Sequence, residues 1–593
     1  MKIEEIVLIK SAQFYKVNKV ITKKTINSMF DELSEFKIGR YLLKECKIDG
    51  VTNAVEFKYS IAVYKVETEP SFIHNSSLRE VKFSYVLLLE IDDSLVIFKK
   101  NIDSPEKKLS KYISEYDYEY FCHFGGGLNP EYERVSMSNM SISDAVIRSR
   151  TLEAYKLNGI IPLNSASRSV PKNFRVKIDN GIYSLCPNSS RVTLRDKAVG
   201  IYPLVVWASE TILEIKNTLS RSDFLDNFAT PIVLEDIILK GGYIASVFFD
   251  FNELDKQIRG NNPIYKLMIN NGVGELIDLD DKKLKRFFNA FKSPILVLNN
   301  KLKIKGKMLK GSIIPNKKTI TIKVDLFNKF VIVDGNNQEI TIGSYINKYK
   351  PFLATFNSPN YICYSRSCFE DRKILNNLKS VINILDDSYD FSSVISEKCK
   401  PHGNNITEFP EKSLFYHVEK MYISNNSILI CDDMNDEWAD HIHIECDNNP
   451  SISFVHSKYT KKDSYGASKF HEVVSQALKN IGMMYGDIES IENKYTQKWS
   501  KNYEGTNITR VRGNKKLDDV KKAFNSISSN PNTVRKIVLA TPFIRKKEVE
   551  SIFENIERNG HGEAYHIQLI WLISTFVSSC QEYGIQPKIL CKK

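Results

Sequence analysis

Residues Ile428–Asn480 read ILICDDMNDEWADHIHIECDNNPSISFVHSKYTKKDSYGASKFHEVVSQALKN. No other stretch of the chain concentrates so many groups able to do chemistry. A short apolar run, Ile428–Ile430, enters an acidic cluster at Asp432, Asp433, Asp436 and Glu437. Asp440–Glu445 then alternates, with Asp440, Ile442 and Ile444 on one parity. Cys446–Pro450 is turn chemistry. Ser451–Lys458 alternates again, with Ile452, Phe454, His456 and Lys458 together. The pattern predicts an antiparallel hairpin with one apolar face. If its turn centres near Asn448, Asp440 stands opposite His456 and Lys458 lies one step further along that face. A slip of one residue would move Asp440 to the other face, so the register is a sharp expectation. A helix should follow, with Ser468 as N-cap and with Glu472, Gln476 and Asn480 recurring on one face.

A carboxylate, an imidazole and an ammonium at the open end of such a hairpin fit metal-assisted phosphodiester hydrolysis. Carboxylates hold a hard divalent cation such as Mg²⁺ or Mn²⁺. The cation polarises a phosphoryl oxygen and lowers the pKa of a bound water. A nearby lysine stabilises the charge that develops on phosphorus.

An acidic cluster, an Asp on a strand, a turn, a strand ending in x-x-Lys and a helix bearing Gln together resemble the PD-(D/E)XK, or restriction-endonuclease-like, nuclease superfamily. Within it the chain looks most like the branch with a downstream Gln-x-x-x-Tyr helix. The resemblance implies Asp440 as the first carboxylate, Lys458 as the catalytic lysine and Gln476 as the helix glutamine. It departs from the pattern twice. His456 stands where a carboxylate is expected two residues before the lysine, and Asn480 stands where the tyrosine is expected. Two residues are open as the missing ligand, His456 or Glu437. The implied catalytic set is therefore Asp440, Lys458, His456 and Gln476, and the implied metal set is Asp440, Glu437 and His456. Such nucleases, fused to large unfamiliar partners, occur in bacterial restriction and anti-phage defence, so the resemblance implies that role and DNA as the substrate. The competing readings are a surface hairpin with solvated acids, and a catalytically inactive nuclease fold that binds nucleic acid or protein. A structural zinc site from His441, His443, His456 and Cys446 fits no familiar ligand spacing.

The chain has 593 residues, of which 42% are hydrophobic and 26% charged, with a net charge of +12. That is too long for one core and rich enough in apolar residues to bury several. The basic balance is compatible with a polyanionic partner. Heavy use of Lys, Asn and Ile points to an AT-rich coding sequence, as in many bacteria. Ten cysteines show no CxxC and no regular spacing. With no signal-peptide pattern, this predicts reduced thiols and a cytoplasmic protein. The longest apolar run, His566–Ser579, is shorter than the roughly 20 residues of a membrane span and reads as a buried helix.

Four segments are expected. Residues 1–150 are strand-rich, with a helical-looking Lys24–Cys46, strands at Glu56–Glu69 and Val81–Lys100, and a turn at Asp92–Asp93. The Gly triplet in Phe121–Leu128 lacks the helix start and the lysine of a phosphate cradle and reads as a turn. Residues 151–240 are mainly helical, with a helix over Tyr202–Phe228; Arg168 and Arg191 carry no motif role. Residues 241–400 are strand-rich and basic. There Lys301–Lys323 holds eight lysines and no acid. On a strand, Lys301, Lys303, Lys305 and Lys307 would line one face. Those four, with Lys461 and Lys462, are the candidate contacts to a nucleic-acid backbone; a solvated sheet edge is the alternative. Arg372–Leu385 reads as a helix and Asp386–Thr407 as a domain boundary. Residues 401–593 are expected to form an α/β domain, a mixed central sheet flanked by helices, with an activating protein or a second copy as further partners. His441 and His443, on the opposite parity from Asp440, read as an exposed strand face or a metal pair. Asn493–Asn514 reads as a basic loop.

Overall fold

The computed structural model describes the chain except residues 70–77, 103, 126–129, 142–148, 159–168, 180, 217–223, 226–227, 261–262, 272–274, 305, 336–337, 365–366, 372–373, 375–380, 435, 447–448 and 462–466, and the side chains at 119, 188, 467, 468 and 514. Lys305, Lys462, Arg168, two of the three glycines of the triplet and most of the helix expected over Arg372–Leu385 thus lie outside the described residues. The protein is mixed α/β and strand-rich. It divides into two compact units, Met1–Asn139 with Ser149–Thr230, and Met140–Arg148 with Pro231–Lys593.

The first unit is built on one eleven-stranded sheet. Val55–Thr68, Glu80–Ile91 and Ser94–Lys100 are consecutive antiparallel strands, with the turn at Asp92 in the left-handed region at φ 49°. Lys24–Cys46 is not one helix. A helix over Lys23–Leu33, capped by the Thr22 side chain, gives way to a strand over Lys37–Thr52. That strand pairs along Val55–Thr68, and cross-strand pairing overrides the local helical pattern. The helix Ile201–Lys216 packs Trp207 edge-on against Phe14 and Phe98.

The second unit begins with an eight-stranded sheet, to which the fully buried strand Ile244–Phe249 belongs. Its lysine stripe is broken. The strand Lys301–Ile304 ends before a turn at Gly306, where φ is +81°. The chain returns as Lys307–Met308, pairing Ile304 with Lys307 and Lys303 with Met308. Lys301 and Lys303 share a face, whereas Lys307 shares the face of Ile304. The turn adds residues that break the alternation, so the expected single row is not formed. Cys363 and Cys368 are directly opposed on adjacent strands and form a disulfide, which corrects the expectation of reduced thiols throughout.

The C-terminal part carries a six-stranded sheet. Its labelled elements, in chain order, are β1 (Leu385–Asp386), α1 (Leu414–Tyr422), β2 (Ser427–Cys431), β3 (His441–Glu445), β4 (Ser451–Ser457), α2 (Ala467–Lys479), α3 (Ile488–Lys494), β5 (Val534–Arg545), α4 (Lys546–Asn559), α5 (Ala564–Glu582) and β6 (Gln586–Lys592), with a further helix, Leu517–Ser529, between α3 and β5. The strand order is β1-β6-β5-β4-β3-β2. β2, β3 and β4 are antiparallel neighbours; β4, β5, β6 and β1 are parallel. The expected register is observed: His441 pairs with Val455 and Ile444 with Ile452, and the same register continued by one residue sets Asp440 opposite His456. Asp386–Thr407 is no linker, because β1 is an edge strand of this sheet and the segment after it packs on α1.

Both faces of the sheet are covered. On one, Leu414 and Val418 of α1 pack with Val455, Val538, Ala540 and Leu590. On the other, α2 contacts β4 and β5, and α5 contacts α2 and β6. α5 also touches Ile244–Phe249, Ile295–Leu298 and Phe352–Phe356 of the eight-stranded sheet. It is apolar all round because it is packed on all sides. Among the described residues, no helix is long and apolar enough to cross a membrane.

Trp571 of α5 is fully buried and its Nε1 has no hydrogen-bond partner among the described residues. Trp571→Ala should cost about 3–5 kcal/mol through the cavity it leaves. Trp571→Phe should cost less than about 2 kcal/mol, since the indole N–H has no bond to lose. Urea unfolding followed by circular dichroism measures both, and equal costs would overturn this account of α5.

Candidate active site

The acidic cluster lies in the loop joining β2 to β3, and its members divide by partner. Asp432 is fully buried. Its carboxylate accepts from the Trp438 N–H (2.8 Å), the Trp499 Nε1–H (2.7 Å) and Lys494 Nζ (2.9 Å). Asp436 pairs with Lys498, and Lys494 also donates to its backbone carbonyl. These two acids anchor the loop through their partners. Their clamp is the segment expected as a basic loop. From it Arg510, 4% exposed, donates to the carbonyls of Cys431 and Asp433. At the far end of α2, the Asn480 side chain donates to the Glu437 carbonyl at 2.9 Å.

The other acids converge. Asp433, Glu437 and Asp440 each offer a carboxylate oxygen, and the three atoms lie within 4.8 Å of one another. Asp440 is 7% exposed, and its Oδ2 accepts from the backbone N–H of Ser457 at 2.7 Å. Burial, the negative charge of Glu437 and then those of Asp433 and Glu397 push its carboxyl well above the usual range, against the Ser457 hydrogen bond. Burial and the neighbouring Asp433 also raise Glu437. Three hard oxygens this close, with the ionised forms of Glu437 and Asp440 disfavoured, are a donor set that a divalent cation fits.

Two lysines border the carboxylates. Lys458 follows β4, its backbone N–H bonded to the Ala540 carbonyl, and its ammonium donates to Glu472 of α2 at 2.8 Å. Burial works against its charge, but Glu472, Glu397 and Asp440 outweigh burial and raise its pKa. Lys398 Nζ lies 2.7 Å from Asp433 Oδ2, which also accepts from the Tyr503 hydroxyl at 2.9 Å. The side chains of Lys398, Lys458 and Glu472 are 30%, 19% and 40% exposed, so the group has an open side beside its buried acid.

Of the expected residues, the structure brings together Asp440, Glu437 and Lys458. His456 is 1% exposed, burial alone pushes its pKa down to about 3, and its Nε2 has no hydrogen-bond partner among the described residues. It is a neutral strand residue outside the carboxylate group, and Asp433 completes the trio instead. Gln476 is half-buried one turn beyond Glu472, and Glu472 rather than Gln476 holds Lys458. Lys461 is exposed beyond β4.

Sequence reasoning missed Glu397 and Lys398, which lie in the stretch read as a boundary. The signal available for the clamp was the presence of arginines and tryptophans among acids, since buried arginines require partners.

The opposite parity of β3 is not exposed. His441 is fully buried beneath α1, 3.3 Å from Glu419, and Arg512 pairs with the same carboxylate. Cys431 joins them. The guanidinium already supplies the positive charge there, so the group fits a buried ion pair. His443 stacks near Tyr422, and burial lowers its pKa to about 4. No protein-family model, curated protein or solved structure matches this chain.

The two kinds of aspartate predict opposite mutational signs. Folding raises the Asp440 pKa from 3.8, so its contribution to stability is complete below that value and is lost as pH rises through the raised one. Asp440→Asn should therefore raise the melting temperature of metal-free protein at neutral pH by about 2 °C or more and flatten its pH dependence. Asp432→Ala strands Lys494 and two buried N–H donors and should cost about 3 kcal/mol. Calorimetry of the metal-free variants reads both; a destabilised Asp440→Asn would overturn the electrostatic account.

Proposed function

We propose that the protein is a metal-dependent nuclease that hydrolyses phosphodiester bonds of DNA, with its centre at Asp433, Glu437 and Asp440. The observation that carries this reading is the convergence of three carboxylates at the end of a mixed sheet, bordered by two lysines on an open side. A mixed sheet with helices on both faces is compatible with this reading.

In this reading the three acids hold Mg²⁺ or Mn²⁺, which supplies a polarised phosphoryl oxygen and an acidified water. Ser457 N–H and Asn480 keep Asp440 and the Glu437 backbone in place before substrate arrives. Lys458, steered by Glu472, stabilises negative charge developing on the phosphate. Lys301, Lys303, Lys307 and Lys461 are proposed backbone contacts, and a cytoplasmic role in bacterial phage defence, with an activating protein or a second copy as partner, belongs to the same proposal. The rival reading, an inactive binding module, draws on His456, a neutral residue where the resemblance expects a carboxylate.

The test is cleavage of plasmid, linear duplex and single-stranded DNA with Mg²⁺ or Mn²⁺, with and without EDTA. Asp440→Ala and Lys458→Ala should each lower EDTA-sensitive cleavage by about a hundredfold or more. Retained cleavage in both would sink the assignment. Salt-sensitive binding without cleavage would favour the inactive module.

A further inference from the structure

The carboxylate trio contains a tethered positive charge of its own. Besides its contact with Asp433, Lys398 Nζ lies 3.8 Å from Glu397. Burial opposes its charge, and Asp433, Asp440 and Glu397 together outweigh that and raise its pKa. Its charge in turn eases the ionisation of Glu437. The Lys398 ammonium thus lies directly on one acid of the group, whereas that of Lys458 bonds to Glu472.

The backbone fixes this placement. Ser396 and Glu397 accept from the Leu414 and Phe415 N–H groups at the start of α1, and Ile395 N–H bonds to the Lys412 carbonyl. Directly after Lys398, Cys399 and Lys400 both occupy the left-handed region, at φ 54° and 45°. Two consecutive non-glycine residues there are costly and persist only where the surroundings impose them. The turn sends the chain away and leaves the Lys398 side chain among the acids, its ammonium 5.2 Å from the centre of the Phe415 ring.

We propose that Lys398 is an internal counter-ion that competes with the divalent cation for the Asp433–Glu437–Asp440 group, so that loading the site requires its ammonium to leave Asp433. This rests on the metal-dependent reading above and adds its regulation: a built-in cation keeps the metal-free group charge-compensated and sets a threshold for metal binding. Asp433 keeps its Tyr503 hydrogen bond when Lys398 departs, so the carboxylate stays oriented. A lysine that only oriented Asp433 would instead strengthen metal binding, and the two roles predict opposite signs.

The experiment measures Mn²⁺ binding by titration calorimetry on the full chain, wild type against Lys398→Met, with Lys398→Arg as the variant that keeps the charge. Removing the competitor should tighten Mn²⁺ binding roughly tenfold, the equivalent of about 1.4 kcal/mol, and Lys398→Arg should not. A second readout needs no variant. Amine acylation followed by peptide mass spectrometry should show Lys398 labelling rise severalfold on adding Mn²⁺, while Lys494, bonded to buried Asp432, stays unchanged. If Mn²⁺ binds wild type but Lys398→Met binds it equally or more weakly, or labelling of Lys398 does not rise, the counter-ion role is overturned and the metal-dependent reading stands. If Mn²⁺ binds neither protein, both fall. Should Lys398→Met fail to fold, the labelling of wild type decides alone.

Discussion

The carboxylate of Asp432 organises the functional end of the C-terminal sheet. It is fully buried, and it ties the β2–β3 loop to Trp438, Trp499 and Lys494 at once. A buried carboxylate is tolerated only when its oxygens are satisfied by donors and its charge is compensated. That requirement draws the 494–512 segment across the loop, and Arg510 and Tyr503 then dock on Asp433 from the same segment. With the loop closed this way, carboxylate oxygens of Asp433, Glu437 and Asp440 come within 4.8 Å of one another.

Crowding like charges costs stability, and the fold meets that cost with fixed dipoles and tethered cations. The Ser457 N–H on Asp440 and the Lys398 ammonium on Asp433 each offset part of the repulsion. Neither removes it for Asp440, whose carboxyl stays well above the usual range. Such tension is characteristic of groups arranged for a ligand. The second buried cluster, Glu419 with His441 and Arg512, contrasts with it: a guanidinium answers the carboxylate directly.

The hairpin was legible because its information is local. Alternation at period two, turn-forming residue types between the two runs and apolar residues on one parity set the register, and the register set the level of Asp440. Lys458 follows from the same count. The identity of the third carboxylate was not legible, because Asp432, Asp433, Asp436 and Glu437 are chemically equivalent in sequence and are sorted only by the distant Lys494, Lys498 and Trp499. Glu397 and Lys398 were hidden for a related reason. They lie far from the motif in the chain, in a polar stretch without periodicity, and reach the site by backbone bonds to α1. The lysine row misled because Gly306 turns the strand within it.

By itself, then, the sequence determined the strand pairing of the C-terminal hairpin, the helix after it, and the placing of Asp440 and Lys458 at its open end. Short-range patterns suffice where a period and a turn specify which side chains share a face. Only the tertiary structure decided which acids form the trio, which anchor the loop, and that Lys398 rather than His456 stands with them. Those outcomes depend on burial and on partners contributed by segments tens of residues away, and burial converts identical carboxylates into groups with opposite roles.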